Sequence, residues 1–300
     1  MKWLDRTVIG IPSAWLLVFF MLPFLIVLKI SLSEMDMARF KPIVNWEEGR
    51  LRVYLILDHY RFIVQDALYV KTYLASLKYA AITTAFCLLI GYPFAYFMSR
   101  AAKAVQPALL LLVMLPFWTS FLLRVYARKG LLSEGGWVAI GLNALKVDQL
   151  MIALGVIPGP GQYLNTGFSL VLGMVYTYVP FMILPLYAHL SKLDHRMLEA
   201  ANDLGASPWV AFWTVTVPLS RAGIVAGSML VFIPCVGEYV IPELLGGPQT
   251  LLIGRVLWDE FFANNDWPMA SSVAVVMILL IIVPLAWFNK AQAESSEGHA

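Results

Sequence analysis

Long apolar runs separated by polar segments dominate the chain and predict its architecture. A helix needs roughly 20 residues to cross about 30 Å of hydrocarbon. Six apolar runs of about that length occur, at residues 8–30, 75–98, 106–123, 168–190, 222–241 and 270–288. They predict an all-α polytopic membrane protein with six transmembrane helices, in a single membrane domain of residues 1–300 whose core covers about 72–290.

The polar segments between the runs predict where the chain leaves the membrane. Two are long, at about 32–74 and 124–167, and a third covers 191–220. Short loops rich in Lys and Arg usually stay in the cytoplasm. The charges that favour an orientation here are Arg100, Lys103, Lys192, Arg196 and Arg221, with Lys2, Arg6 and Lys290 near the termini. We therefore expect both termini and the 191–220 loop in the cytoplasm. The two long loops are expected in the periplasm, where they can form short interfacial helices.

The first run could be mistaken for a signal peptide. It is longer than the apolar part of a typical one, is interrupted by Pro12 and Pro23, and lacks a small-residue cleavage site before Ser31. We expect it to stay as the N-terminal span, 8–30. Prolines also occur in the other runs, where each removes a backbone donor and favours a kink, so an irregular bundle is predicted. They are Pro93, Pro116, Pro180, Pro185, Pro234 and Pro284.

Composition agrees with a lipid environment. The chain is 60% hydrophobic and 13% charged, whereas soluble domains carry about 25% charged residues. The net charge of +2, without a basic run interleaved with aromatics, argues against nucleic acid as a partner. Cys87 and Cys235 both lie in apolar runs, where a small packing residue is expected rather than a disulfide or metal ligand.

The sequence offers no sign of chemistry performed by this chain. It has no Gly-x-x-x-x-Gly-Lys-Ser/Thr phosphate loop and no nucleophile elbow. The histidines lack metal-ligand spacing; they are His59, His189, His195 and His299. We expect no catalytic residue, metal or cofactor in this chain.

The 191–220 loop carries the strongest local signals. Asp194 is a good N-cap for a helix that Gly205 can close in the left-handed conformation. Ser207 can cap a second helix with Pro208 at its first position, and Pro218 follows near its end. Two short helices that turn at Gly205 are predicted, and these signals alone are equally compatible with a structured linker.

The same loop has a resemblance that goes further. Its sequence pattern is similar to the cytoplasmic signature of ABC importer permeases. In this pattern Glu-Ala-Ala is followed by three residues, Gly, nine residues, an aliphatic residue, any residue, a second aliphatic residue and Pro. The matching residues are Glu199, Ala200, Ala201, Gly205, Val215, Val217 and Pro218, with Val where the family prefers Ile and Leu. The resemblance implies a type I ABC importer permease fold, in which this loop is a coupling helix docked on a dimeric cytoplasmic ATPase. ATP and Mg would then be bound by that partner.

Glu238 is the most informative polar residue inside a predicted span. A carboxylate in the membrane needs a partner or a wet cavity, and it suits a cationic substrate when aromatic rings lie beside it. Tyr239 and Glu243 are weaker candidates for the same path. Glu238 can also be solvated at the outer interface, or paired with an arginine for structural reasons.

Several segments resemble polyamine importer permeases, most closely the first of the two permeases in a putrescine or spermidine system. They are Leu115 to Tyr126, Gly237 to Gly247, Gly254 to Phe262 and Asn265 to Ala270. The resemblance implies a polyamine substrate, a second homologous permease, a periplasmic substrate-binding protein and the bacterial inner membrane. Trp118, Tyr126 and Tyr178 are candidates for the substrate path, although such residues can equally be interfacial anchors.

Other readings stay open from sequence alone. One is an ABC importer permease for another small solute, such as an opine or an amino acid derivative. Another is a secondary transporter in which Glu238 relays protons. Against the second, the chain shows no pair of similar halves.

Overall fold

Helices make up most of the protein's regular structure. The computed structural model describes residues 2–36, 39–40, 44–47, 50–194 and 196–297, with side chains except at 2–7, 36–53, 283–284 and 287–297. The helices are α1 (Lys2–Leu16), α2 (Leu22–Ser31), α3 (Asp58–Gln65), α4 (Ala67–Arg100), α5 (Gln106–Met114), α6 (Phe121–Leu132), α7 (Trp137–Ala144), α8 (Val147–Ala153), α9 (Gly167–Leu190), α10 (Arg196–Asp203), α11 (Pro208–Ala211), α12 (Val217–Leu219), α13 (Arg221–Val236), α14 (Val240–Leu245), α15 (Ile253–Trp258) and α16 (Trp267–Glu297). Wider π turns occupy Leu17–Met21, Phe212–Thr216 and Asp259–Ala263, and 3-10 turns occupy Leu115–Trp118 and Pro248–Thr250.

Two small antiparallel hairpins interrupt the helical pattern in the first long loop. They pair β1 (Met35–Asp36) with β2 (Arg39–Phe40), and β3 (Val44–Glu47) with β4 (Arg50–Val53). Interfacial helices were predicted for this loop, whose described part contains α3 and the beginning of α4. The sequence around β3 and β4 alternates apolar and polar residues on both sides of a Glu-Gly pair, which is a hairpin signal.

The helices that can cross a membrane match the predicted spans. In the described residues three helices are long and apolar enough: Val8–Ser31, Ala67–Arg100 and Gly167–Leu190. The number of possible spans rises to five if each of two bent helix pairs counts as one span. The shorter apolar helix Trp267–Ile282 falls on the sixth predicted run. The helical membrane fold is confirmed.

The third predicted span, 106–123, is wrong as a single helix. The chain bends by 86° between Gln106–Trp118 and Phe121–Leu132. Pro116 lies in a 3-10 turn, and Thr119 follows with extended backbone (φ −102°, ψ 150°), so the helical hydrogen bonds stop there. Residues 124–132, predicted as loop, are therefore helical. Arg128 ties them to α9 by donating to the carbonyl of Gly173 (3.0 Å) and the hydroxyl of Thr177 (3.1 Å).

The fifth predicted span, 222–241, ends early. Helix α13 stops at Val236, and a short non-helical stretch separates it from α14. Pro234 removes a donor inside the last turn, and Gly237 leaves the helical conformation (φ −92°, ψ 7°). The result is an irregular turn within an apolar segment, which is stable only where protein or water satisfies its backbone.

The chain forms two compact units, one of residues 1–71 and 256–284, the other of residues 72–255 with the segment from 285. In the first, the Ser31 hydroxyl lies 2.6 Å from the Tyr60 hydroxyl, and Tyr69 donates to Glu260 (2.7 Å). In the second, buried residues of α9 and α13 form the core with Cys87 of α4. They include Met174, Met182, Leu186, Val231 and Cys235.

Both cysteines are free and buried, as their packing role predicted. The single membrane domain assigned to residues 1–300 stays a prediction.

A smaller apolar cluster forms in the second long loop. It contains Leu132, Ala139, Met151, Ile157 and Tyr163. Helices α7 and α8 supply two of these residues, so the loop has its own packed core. Short helices were predicted here and are confirmed. Their position at a membrane interface stays a prediction.

Candidate functional site

Glu238 lies in the break between α13 and α14. One carboxylate oxygen accepts hydrogen bonds from the backbone N–H groups of Val240 (3.1 Å) and Ile241 (3.4 Å). The other accepts a hydrogen bond from the hydroxyl of Tyr178 on α9. The carboxylate is half-buried, and these three groups donate to it. The structure thus brings together two of the predicted path residues, Glu238 and Tyr178.

An aromatic row leads away from this pair. The ring of Tyr178 lies 6.1 Å from that of Phe181, and Phe181 meets Phe117 edge to face at 5.2 Å and 87°. Phe117 belongs to the 3-10 turn at the bend of the third span. A carboxylate with aromatic faces beside it is a suitable environment for an ammonium group, which both charge and ring faces stabilise.

Sequence reasoning missed Phe117 and Phe181. A usable signal existed for each, since Phe181 lies one helical turn after Tyr178 and Phe117 directly precedes Trp118.

The other predicted path residues have different surroundings. Trp118 is 80% exposed and Tyr126 is 55% exposed, so both lie on the surface of this chain. Glu243 forms an ion pair with Arg255 (2.7 Å), and Tyr239 is half-buried directly after Glu238. Their part in a substrate path stays a prediction.

A close backbone approach fixes the turn that carries Glu238. Gly254, in the first turn of α15, packs directly on this turn. A Cβ at Gly254 would lie 2.5 Å from the carbonyl oxygen of Gly237 and 2.7 Å from that of Glu238. Real Cβ atoms essentially never come that close, so only glycine fits here without a shift of the backbone.

The 191–220 loop has the predicted shape. Asp194 accepts a hydrogen bond (3.0 Å) from the N–H of Arg196, the first residue of α10. At the other end the N–H of Ala206 donates to the carbonyl of Ala201 (3.0 Å), and that of Gly205 to Asn202 (2.9 Å). These bonds close the helix in the Schellman pattern, which needs the left-handed backbone that Gly205 adopts (φ +86°).

The second half of the loop begins as predicted and then departs from a regular helix. Ser207 accepts a hydrogen bond from the N–H of Val210 and caps α11, with Pro208 at its first position. From Phe212 the chain widens into a π turn before α12. It then bends by 65° into α13, with Ser220 between the two helices.

The signature residues divide into an exposed and a half-buried group. Glu199, Ala200 and Gly205 are exposed, whereas Ala201, Val215, Val217 and Pro218 are half-buried. Large apolar side chains are exposed beside them, namely Met197, Leu204, Trp209 and Trp213. Exposed apolar side chains in a group are typical of a surface that contacts a partner.

Among the described residues, no three His, Cys, Asp or Glu side chains are grouped so that they could hold a metal ion. His195 and His299 lie outside the described residues.

Comparison with known proteins identifies the family. Residues 87–295 match the family described as binding-protein-dependent transport system inner membrane component. The chain is 38% identical over 283 residues to the spermidine/putrescine transport system permease protein PotB of Haemophilus influenzae, covering 93% of this chain and 92% of that one. It is 36% identical over 283 residues to PotB of Escherichia coli K12, covering 94% of each.

Solved structures show the same fold at low sequence identity. A bacterial ABC transporter involved in alginate import contains a chain that superposes with a TM-score of 0.64 at 15% identity, covering 98% of this chain and 96% of that one. The alginate transporter in complex with its pentasaccharide-bound periplasmic protein gives a TM-score of 0.60 at 15% identity, covering 95% and 92%. The family match, the full-length relatives and the apolar helices together lead to one assignment. This chain belongs to the family of inner membrane components of binding-protein-dependent transport systems, and it is a multi-pass permease subunit of an ABC importer.

Proposed function

We propose that this permease imports polyamines, putrescine or spermidine, across the bacterial inner membrane. The observation that carries the proposal is the identity with permeases named for spermidine and putrescine transport, which extends over nearly the full length of both chains. The chemistry of the site agrees with it. A polyamine carries several ammonium groups, and Glu238 offers a carboxylate in contact with Tyr178, whose ring neighbours that of Phe181.

The proposed assembly contains this chain, a second homologous permease, a dimeric cytoplasmic ATPase that binds ATP and Mg, and a periplasmic binding protein. Both termini of this chain lie in the cytoplasm. The 191–220 loop docks on the ATPase through Glu199, Ala200, Ala201 and Gly205, with the aliphatic Val215, Val217 and Pro218 behind it. ATP-driven closure moves this loop, and the spans alternate between inward-open and outward-open arrangements.

Glu238 has a defined task in this proposal. Without substrate, its charge is stabilised by the Tyr178 hydroxyl and by the N–H groups at the start of α14. A passing ammonium group replaces the hydroxyl as the partner of the carboxylate, and the adjacent rings present their faces to it. The exchange keeps the charge paired throughout, which a carboxylate away from bulk water requires.

The proposed function is tested by ATP hydrolysis of the purified four-part complex. We expect hydrolysis to rise when the binding protein is loaded with polyamine, compared with the binding protein alone. Absence of a co-purifying ATPase, or hydrolysis that ignores polyamine, would contradict the proposal.

The substrate path is tested with Glu238→Gln. The amide oxygen can still accept from Val240, but the charge is gone, so the polyamine concentration for half-maximal uptake should rise about tenfold or more, as expected for a lost charged hydrogen bond. Glu134→Gln is the control, because it removes the charge of an exposed glutamate in the second long loop, outside the proposed path. Equal uptake by Glu238→Gln and wild type would make Glu238 a structural residue.

A further inference from the structure

A phenylalanine of the 191–220 loop is held between two tyrosines of α4. The ring of Phe212 lies 5.6 Å from that of Tyr92 at 90°, and 5.4 Å from that of Tyr96 at 85°. Both pairs have the edge-to-face geometry that aromatic rings prefer. Tyr92 and Tyr96 are four residues apart on one helix, so they form neighbouring walls of a slot for the Phe212 ring.

A second contact joins α4 to the far end of the same segment. The hydroxyls of Tyr92 and Ser220 lie 2.9 Å apart, and both residues are buried. Ser220 marks the 65° bend between the helices Pro208–Leu219 and Arg221–Val236. Helix α4 therefore holds the segment at its π turn and again at its bend.

The backbone of the segment makes these side-chain contacts important. Two helices that share one axis can pass a displacement along that axis. Here the axis turns by 65° before α13 begins, so the backbone offers no straight path from the loop into α13. The π turn at Phe212–Thr216 also interrupts the regular α-helical hydrogen-bond ladder. Packed side chains transmit displacement well because protein interiors are dense, and α4 is a single helix of 34 residues.

We propose that Phe212 is a positioning residue that passes movement of the 191–220 loop to α4 through Tyr92 and Tyr96. This inference rests on the proposed docking of the loop on an ATPase. Phe212 touches neither the substrate nor ATP in this scheme. It sets how much transport each round of ATP hydrolysis produces.

The test compares polyamine import with ATP hydrolysis in the same proteoliposomes containing the full complex. Phe212→Leu keeps an apolar side chain but removes the ring, and uptake per ATP should fall at least about fivefold, the lower end of typical coupling effects between sites. Phe212→Tyr keeps the ring and should retain the wild-type ratio. Hydrolysis itself should persist in both variants, since the ATPase is unchanged.

Tyr187→Phe is the matched control, because it also removes a tyrosine contact between helices. Its hydroxyl donates to Gln106 at 2.9 Å, a contact between α9 and α5 that includes neither Phe212, Tyr92 nor Tyr96, and the uptake ratio should stay at the wild-type value. A wild-type ratio in Phe212→Leu would overturn the inference. So would an equal loss in Tyr187→Phe, which would indicate a general effect of loosened packing.

A double-mutant cycle tests the second contact. Tyr92→Phe and Ser220→Ala each remove one hydroxyl, so each should lower the uptake ratio and the double variant should lower it no further. Additive losses would contradict the direct link. Wild-type complex that shows no ATP-dependent uptake would instead contradict the proposed function itself, so the two failures are distinguishable.

Discussion

Replacing Gly254 by alanine tests whether the Glu238 turn depends on a close backbone approach. The added Cβ would lie 2.5 Å from the Gly237 carbonyl oxygen, and the turn must move by about 0.5 Å before the contact reaches 3.0 Å. Both atoms in conflict with the new methyl belong to backbone, so a side-chain rotation cannot relieve it. Overpacking of this kind costs about 1–3 kcal/mol, which corresponds to roughly 5- to 150-fold in the folded equilibrium.

The assay for Gly254→Ala is thermal unfolding of the detergent-purified complex together with polyamine uptake. We expect the midpoint to fall by several degrees, since about 1 kcal/mol moves it by roughly 2–4 °C in domains of 150–250 residues. Uptake should fall as well, because the displaced turn carries Glu238. Gly141→Ala is the control, since a Cβ there meets nothing within 4 Å and alanine favours the helix. Wild-type midpoint and uptake in Gly254→Ala would refute the reasoning.

Two further predictions concern residues outside the spans. Tyr163 is fully buried, and its hydroxyl has no hydrogen-bond partner among the described residues. Because Tyr163→Phe removes an unpaired buried hydroxyl, it should leave the unfolding midpoint unchanged or raise it. A clear drop in the midpoint would show that the hydroxyl has a partner. Gly205→Ala places a Cβ at φ +86°, which costs about 1–2 kcal/mol and should weaken retention of the ATPase about 5- to 30-fold in a pull-down; Gly205→Asn, which tolerates this backbone better, should lose less. Equal retention by all three proteins would argue against the docking role of the turn.

The sequence located the spans and marked prolines as candidate kinks, but it did not show which prolines would break a helix. Pro116 and Pro234 lie at or just before breaks, whereas Pro93, Pro180 and Pro185 lie inside continuous helices. Hydropathy measures the cost of transfer into lipid, which is the same whether a run of apolar residues is straight or bent. Beyond the 86° turn after Trp118, Arg128 joins α6 to α9 through contacts with residues 45 and 49 positions away, and hydropathy does not report such long-range contacts. The two hairpins before residue 54 were not predicted, because their strands have only two or four residues each, which is too short for alternation to give a strong signal.

The 191–220 loop was predictable because caps are local. Asp194, Gly205, Ser207 and Pro208 act on backbone groups within a few residues, so their types suffice to predict where each helix begins or ends. The contact of Phe212 with α4 was not predictable in this way, because Tyr92 lies 120 positions earlier in the chain.

In the candidate site, too, the residue types were predictable and their long-range contacts were not. Glu238 and Tyr178 were chosen one by one as polar or aromatic residues in apolar runs, and only the structure brings them into contact. Phe117 completes the aromatic row from the 3-10 turn after α5. Single-sequence reasoning can nominate such residues but does not determine which of them meet.

ATP-dependent uptake into proteoliposomes tests the central claim most directly. The complex would be reconstituted with its binding protein, and uptake of radiolabelled putrescine and spermidine would be compared with that of an amino acid and an anionic solute. We predict uptake of the polyamines that requires ATP and is weakened by Glu238→Gln. Uptake of the amino acid or the anion in place of polyamines would contradict the account.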